Sequence, residues 1–171
     1  MRSSLSLIAS PFVALVLALP GLAVQAPSSP DNLKAMAHQY YQWRDENYPV
    51  ASSDQGLHTW DDKLTDYSSA AIQARKKYVE ERLGEVRAMP AEGWSKDDRI
   101  DWILFRSQLE AAEFYGRVLQ FTETNPQVYT DECSNAIFSL LKKEYDTPRN
   151  RALSATARMK LMPALLDQGR E

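Results

Sequence analysis

The amino-acid sequence predicts an all-α protein, and three observations lead to that prediction. Apolar residues recur at spacings of three and four along most of the chain, which is the period of an amphipathic helix. Residues that favour helix N-caps, or a proline suited to the first helical turn, precede these stretches. No stretch shows the strict alternation of a half-buried strand. We therefore expect an irregular array of about five helices after a signal peptide.

Residues 1–26 have the pattern of a secretory signal peptide and its cleavage region. Arg2 supplies the positive charge, the stretch Leu5–Leu19 is mostly apolar, and Pro20-Gly21 ends it before small residues. Cleavage after Ala23 and cleavage after Ala26 both fit. The alternative is an uncleaved membrane anchor, which the internal prolines disfavour. The sequence thus predicts an exported protein, periplasmic or secreted, with no stable membrane span once the leader is cleaved.

The first predicted helix follows a short linker, residues 27–30, whose prolines forbid continuous helix. Asp31 is a suitable N-cap for a helix over residues 32–47. This helix must end before Tyr48-Pro49, because a residue that precedes proline is disfavoured in the α region. Residues 50–67 lack helical or alternating periodicity and predict one long irregular segment between the first two helices.

The second and third predicted helices have serine caps. Ser68 or Ser69 starts the second, which runs to about Met89 before Pro90. Ser95 starts the third, because Ser-Lys-Asp-Asp resembles a capping box, and its apolar pattern continues to Phe121. This long helix is predicted to be central.

Two further helices complete the predicted array. A turn at Asn125-Pro126 precedes a fourth helix near residues 128–145. Thr147-Pro148 places threonine at an N-cap and proline at the first helical position, and it starts a fifth helix that continues through Leu166.

Composition and charge exclude some classes of protein. With 171 residues, 44% of them hydrophobic, the chain is long enough for one domain with a real core. The net charge is −3, and it becomes −4 when the leader with Arg2 is removed, so we predict no nucleic-acid partner. Cys133 is the only cysteine and forms no internal disulfide; its apolar neighbours predict a small buried residue.

The sequence contains no complete catalytic or metal-binding motif. The two histidines, His38 and His58, are far apart, and neither has a suitable metal-ligating partner at helical spacing. Glycine-rich phosphate loops and the Gly-x-Ser-x-Gly elbow are also missing. We therefore assign no catalytic residue, no metal ligand and no cofactor to this chain on motif grounds.

The irregular segment and its border hold the candidate site residues. Asp61 follows His58 by three residues, a spacing at which a carboxylate can orient an imidazole, although ordering of the loop is the simpler interpretation. Nearby aromatic residues suit a peptide or sugar groove, or else ordinary core packing. The candidates for cleft-lining or loop-ordering residues are Tyr48, His58, Trp60, Asp61 and Asp62.

Several short stretches together resemble one bacterial family. They are Tyr48-Pro49-Val50-Ala51-Ser52, Gly56-Leu57-His58, Asp61-Asp62-Lys63-Leu64-Thr65-Asp66, Asp98-Arg99-Ile100-Asp101, Gln108-Leu109-Glu110, Asn125-Pro126 with Tyr129, Ile137-Phe138-Ser139-Leu140-Leu141 and Pro163-Ala164-Leu165-Leu166. Their order and spacing resemble the opening third of the domain of unknown function 885 family (DUF885). The polar run Asp131–Asn135 departs from the family pattern, which puts local packing there in question.

The resemblance implies a function that the motifs alone do not. Members of that family are several times longer, are often exported and are similar to helical zinc metallopeptidases. Their expected metal motif, a His-Glu-x-x-x-Gly-His-type helix, belongs to the later part of such chains and does not occur here.

The resemblance thus implies that residues 31–171 are the helical N-terminal part of a larger domain of a zinc-dependent peptidase-like hydrolase. Such a part is inactive alone, and its partner is the remaining C-terminal part. Zinc and a peptide-like substrate are expected for a full-length relative. The competing hypothesis is a free-standing periplasmic helical binding or interaction module.

Overall fold

The structure, a computed structural model, describes residues 28–170, and all regular structure in that range is helical. The predicted signal peptide lies outside the described residues. The helices are α1 (Pro30–Asn47), α2 (Pro49–Gln55), α3 (Ser69–Arg87), α4 (Lys96–Glu113), α5 (Phe121–Thr124), α6 (Gln127–Leu141) and α7 (Pro148–Gln168). A 3₁₀ turn, Ala91–Gly93, precedes α4, and a π-helical segment, Phe114–Leu119, follows it. The predicted all-α fold is confirmed.

Helix α1 begins slightly earlier than predicted. The side chain of Ser29 accepts a hydrogen bond from the Asn32 amide at 3.2 Å, so Ser29 is the N-cap. Assigning the cap to Asp31 was wrong, because Pro30 suits the first helical position and places Asp31 within the first turn. There its carboxylate still faces the positive end of the helix dipole. The helix ends at Asn47, before Tyr48-Pro49, as predicted.

Helix α2 corrects the predicted irregular segment. Residues 49–55 are helical, and only residues 56–68 form an irregular loop. Pro49 occupies the first helical turn, where its missing N–H costs nothing, and Gly56 ends the helix with a φ of 97°. A helix of seven residues is too short to show an apolar stripe, so periodicity could not reveal it.

The third predicted helix is interrupted near its C-terminal end. Ser68 and Ser95 cap α3 and α4, as the sequence predicted. However, α4 is followed by the π-helical segment, and Gln120 then adopts a left-handed conformation with a φ of 49°. The predicted continuous helix to Phe121 was therefore wrong. A π-helical turn contains more residues than an α turn, and single apolar residues do not reveal that change.

The last two helices form a pair. Thr147 caps α7 by accepting a hydrogen bond from the Asn150 amide at 3.2 Å, with Pro148 at the first position as predicted. Helix α6 ends at Leu141, earlier than the predicted end near residue 145. Tyr145 therefore lies in the α6–α7 connection, where its ring is free to pack on the loop.

The main core lies between α1, α3 and α4. Helix α3 packs along α4, while α6 packs against both α7 and α2. The buried residues of the main cluster are Leu33, Tyr40, Val79, Leu83, Val86, Phe105 and Leu109. A smaller cluster of Tyr67, Tyr129 and Leu165 joins the loop to α6 and α7. The loop 56–68 thus packs against α6 and α7 through Tyr67.

Helix α4 has a second apolar side that does not face the core. We call this surface the outer stripe. It comprises exposed residues of α4 and the π-helical segment: Ile100, Ile103, Leu104, Phe114 and Val118. Exposed apolar residues also occur on α7: Leu153, Met159, Leu161 and Leu166. Among the described residues, no helix has the length and hydropathy needed to cross a bilayer.

Candidate functional site

The most buried charged group in the described residues is Arg158 of α7, whose side chain is 0% exposed. Its Nη2 donates to Ser53 Oγ at 2.6 Å and its Nη1 to the carbonyl of Ala136 at 2.8 Å. Further acceptors are Ser139 Oγ and the carbonyl oxygens of Lys63, Pro49 and Trp60. Arg158 therefore joins α2, the loop, α6 and α7 through one guanidinium group.

Asp61 supplies the nearest negative charge to this guanidinium. Asp61 Oδ1 lies 4.0 Å from Arg158 Nη2 and accepts a hydrogen bond from Ser53 Oγ at 2.6 Å. His58 Nδ1 lies 3.0 Å from Asp61 Oδ2, and its ring stacks on Tyr145 with centroids 3.3 Å apart. Burial lowers the pKa of Arg158, and Asp61 opposes that effect. Burial and then Asp61 raise the pKa of Tyr145.

The second half of the loop is held by α6 and α7. Glu132 Oε1 accepts from the Thr65 amide at 3.0 Å, and Gln168 Oε1 accepts from the Tyr67 amide at 2.9 Å. Buried backbone amides of a loop need such partners, because water does not reach them. The hydrogen bonds of Arg158, Asp61, Glu132 and Gln168 therefore fix the course of the loop.

This cluster does not suit the zinc ion that the resemblance implies for a full-length relative. His58 and Asp61 converge, but the cation of Arg158 lies beside the same carboxylate, where it would repel a metal ion. In residues 28–170, no three His, Cys, Asp or Glu side chains are grouped to hold a metal. We therefore derive no chemical step through zinc here.

A larger concave site lies between α1, α3 and the π-helical segment. This aromatic cleft has a volume of about 690 Å³, a size typical of ligand-binding cavities. Its aromatic lining residues are Tyr40, Trp43, Tyr48, Tyr67, Tyr115 and Phe121, and its basic ones are Arg44, Arg75, Lys76 and Arg117. The aromatic cleft is the candidate binding site, because it combines an apolar wall with defined polar groups.

Arg75 of α3 is the buried cation of the aromatic cleft. Its side chain is 7% exposed, and its Nη1 donates to the Asp66 carbonyl at 2.7 Å. The guanidinium carbon lies 5.4 Å from the Tyr48 ring centroid and 5.8 Å from that of Tyr67, within cation–π range. Burial raises the pKa of both tyrosines, while Arg75 opposes that effect; Glu132 raises the pKa of Tyr67 further.

These raised tyrosine pKa values predict loss of stability in alkali. A phenol has a pKa of about 10 in the unfolded chain. When folding raises that pKa, the neutral phenol contributes its full stabilisation below about pH 10, and this stabilisation is lost as the pH rises toward the folded pKa. We expect the free energy of unfolding to fall between about pH 10 and pH 11. The free energy of unfolding of the Tyr67→Phe variant should fall less over the same pH interval, because phenylalanine does not ionise. Urea unfolding at each pH measures this difference.

The matched control is Tyr115→Phe, because Tyr115 is exposed and removing its hydroxyl should leave the alkaline loss unchanged. Equal alkaline losses for Tyr67→Phe and the unmodified chain would contradict the assignment to Tyr67.

The structure assigns four of the five predicted site residues to two separate places. Tyr48 lines the aromatic cleft, whereas His58 and Asp61 belong to the Arg158 cluster. Trp60 contributes its backbone carbonyl to that cluster, and Asp62 is exposed.

Sequence reasoning missed Arg75 and Arg158, although both occupy positions on apolar stripes of their helices. A charged residue on an otherwise apolar helix stripe is a sequence signal that could have identified both arginines. Arg75 lies three residues after Ile72, and Arg158 lies three after Ala155 and seven before Leu165; all of these are buried.

Cys133 and His38 belong neither to the lining of the aromatic cleft nor to the hydrogen-bond partners of Arg158. Cys133 is half-buried and packs against the cluster of Tyr67, Tyr129 and Leu165. Burial and the nearby Glu132 raise the pKa of its thiol, which disfavours the reactive thiolate. His38 is exposed on α1.

Comparison with known proteins identifies a family for most of the chain. A family model described as a bacterial protein of unknown function, DUF885, matches residues 49–171. The matched range includes α2 to α7, and with them the Arg158 cluster and the Arg75 side of the aromatic cleft. No curated protein and no solved structure matches the chain.

Proposed function

The chain belongs to the DUF885 family of bacterial proteins, and on that premise we propose that it is the helical N-terminal part of an exported, zinc-dependent peptidase-like hydrolase. In this proposal it supplies helices that wall the substrate cleft, while the zinc ligands and the general base belong to a C-terminal part of the kind expected for full-length relatives. A zinc ion held there would polarise a peptide carbonyl and activate water.

The outer stripe is the observation that carries this proposal. Helix α4 buries Phe105 and Leu109 on one side, yet exposes Ile103 and Leu104 on another. A helix that is apolar on more than one side is typical of the interior of a larger domain. Exposed patches of this kind mark surfaces that another protein element covers. The outer stripe and the exposed apolar residues of α7 therefore favour a part that packs against further structure.

Association with the C-terminal part of a full-length family member tests this proposal. We expect the purified chain to bind anilinonaphthalene sulfonate, and we expect that fluorescence to fall when the C-terminal part is added. Zinc-dependent peptide cleavage should appear only in the mixture. The Leu104→Glu variant should weaken the association, because it places a charge in the covered apolar surface.

The control for this experiment is Leu57→Glu, which makes the same change at an exposed loop residue away from the outer stripe. A chain that binds no dye, stays monomeric and does not bind the C-terminal part would contradict the proposal. That result would favour the interaction module instead.

A further inference from the structure

We propose that the aromatic cleft binds a ligand that carries both a carboxylate and an aromatic or large aliphatic group, with Arg75 as the carboxylate anchor. The inference does not depend on the peptidase-like function, because it concerns binding by residues 28–170 alone.

The first step is the unmatched charge of Arg75. Its guanidinium is buried in the wall of the cleft, yet no carboxylate of the described residues lies within ion-pairing distance of it. One N–H donates to the Asp66 carbonyl, and the guanidinium carbon lies 5.4 Å from the Tyr48 ring centroid. Guanidinium has five N–H donors, so donors remain for a ligand. A buried cation without a paired anion is costly, and a bound carboxylate would relieve that cost.

The second step is the charge of the rest of the cleft, which indicates a single negative charge on the ligand. The other basic lining residues are each paired with an acidic one: Arg44 with Asp45, Lys76 with Glu123 and Arg117 with Glu113. Glu80 also lines the cleft, but it is exposed to water. One unpaired cation matches a monoanionic carboxylate, whereas a phosphate dianion would meet three or more carboxylates with only one cation left to bind it.

The third step is the apolar wall, which indicates what the carboxylate is attached to. Trp43 stacks on Tyr78 with centroids 4.1 Å apart, which holds the indole in place at one side of the cleft. Tyr115 and Phe121, with ring centroids 6.0 Å apart, line the cleft from the π-helical segment and the start of α5, and both are exposed. Aromatic rings at these positions bury the body of an aromatic or aliphatic ligand. The C-terminus of a peptide and an acidic side chain beside an aromatic residue both provide this chemistry.

Calorimetric titration of the purified chain tests the inference and distinguishes the two sources. The first pair of probes is acetyl-phenylalanine and its amide, and the second is acetyl-Glu-Phe-amide and acetyl-Gln-Phe-amide. We expect the acid of at least one pair to bind roughly tenfold to a hundredfold more tightly than its uncharged partner, as a charge-assisted contact implies. Preference within the first pair indicates a peptide C-terminus, and preference within the second indicates a side chain. Equal binding within both pairs overturns the inference.

Two variants locate the effect. Arg75→Gln should abolish the preference for the acid, whereas Arg87→Gln, an exposed arginine on the same helix, should retain it. Loss of the preference in both variants would mean a general effect of net charge and would overturn the assignment. If Arg75→Gln does not fold, Phe121→Ala at the exposed side of the cleft replaces it. Phe121→Ala should weaken the binding of the acid and of the amide to the same degree. Unchanged binding of both would place the ligand outside the aromatic cleft.

Discussion

The Arg158→Met variant is expected to lose about 3 to 5 kcal/mol of folding free energy, which is the usual effect of removing one partner of a buried charge pair. Methionine keeps much of the volume but donates no hydrogen bond. The carbonyl oxygen of Lys63 would lose its donor, that of Ala136 would lose one of its donors, and Asp61 would lose its nearest cation. Typical domains are stable by about 5 to 15 kcal/mol, so the variant should be marginal. Urea unfolding followed by circular dichroism measures the loss.

Arg149→Met provides the matched control for Arg158. Arg149 lies on the same helix and is exposed, so its replacement should change stability by less than about 0.5 kcal/mol. Amide hydrogen exchange adds a local measurement, because loop residues 56–68 should exchange faster in Arg158→Met only. Equal stability of the two variants, with a protected loop in both, would show that Arg158 does not hold the loop.

The Leu109→Ala variant is expected to lose about 2 to 5 kcal/mol, because it opens a cavity in the main core. Leu109 is 0% exposed and belongs to the cluster with Tyr40, Leu83 and Phe105. Alanine removes three carbon atoms, and the surrounding aromatic rings cannot close fully over the space. The midpoint of urea unfolding should fall while the slope stays close to that of the unmodified chain.

The same substitution at Leu104 is the control for Leu109. Leu104 is 63% exposed on the same helix, so Leu104→Ala should change stability by less than about 0.5 kcal/mol in the isolated chain. A large loss at Leu104, or none at Leu109, would mean that α4 is turned about its axis relative to the described core.

The sequence predicted most helices because their ends carry local chemical signals. Ser68, Ser95 and Thr147 accept hydrogen bonds from first-turn amides, and this capping depends only on residues close in sequence. The π-helical segment after α4 gave no such signal. Whether a helix widens at such a point depends on its contacts with other elements, and the spacing of its own residues does not encode those contacts.

The candidate site was predicted less completely than the fold. The contact between His58 and Asp61 involves residues three apart, and that spacing pointed to it. By contrast, Arg75 and Arg158 act through acceptors on other elements, such as the carbonyl of Trp60 for Arg158. Sequence patterns identify which residues share a helix face, but not which distant backbone oxygen a guanidinium meets.

The long separation between Arg158 and its acceptors also bears on the order in which the chain is assembled. The carbonyl oxygens of Pro49 and Lys63 precede Arg158 by 109 and 95 residues. During synthesis from the N-terminus, α1, α3 and α4 are therefore complete while residue 158 has yet to be made, and their mutual packing joins segments that are closer in sequence. The loop cannot reach its final conformation before α7 is present, because contacts between residues so distant in sequence cost chain entropy before any hydrogen bond forms. We expect the first core to form early and the loop to settle last.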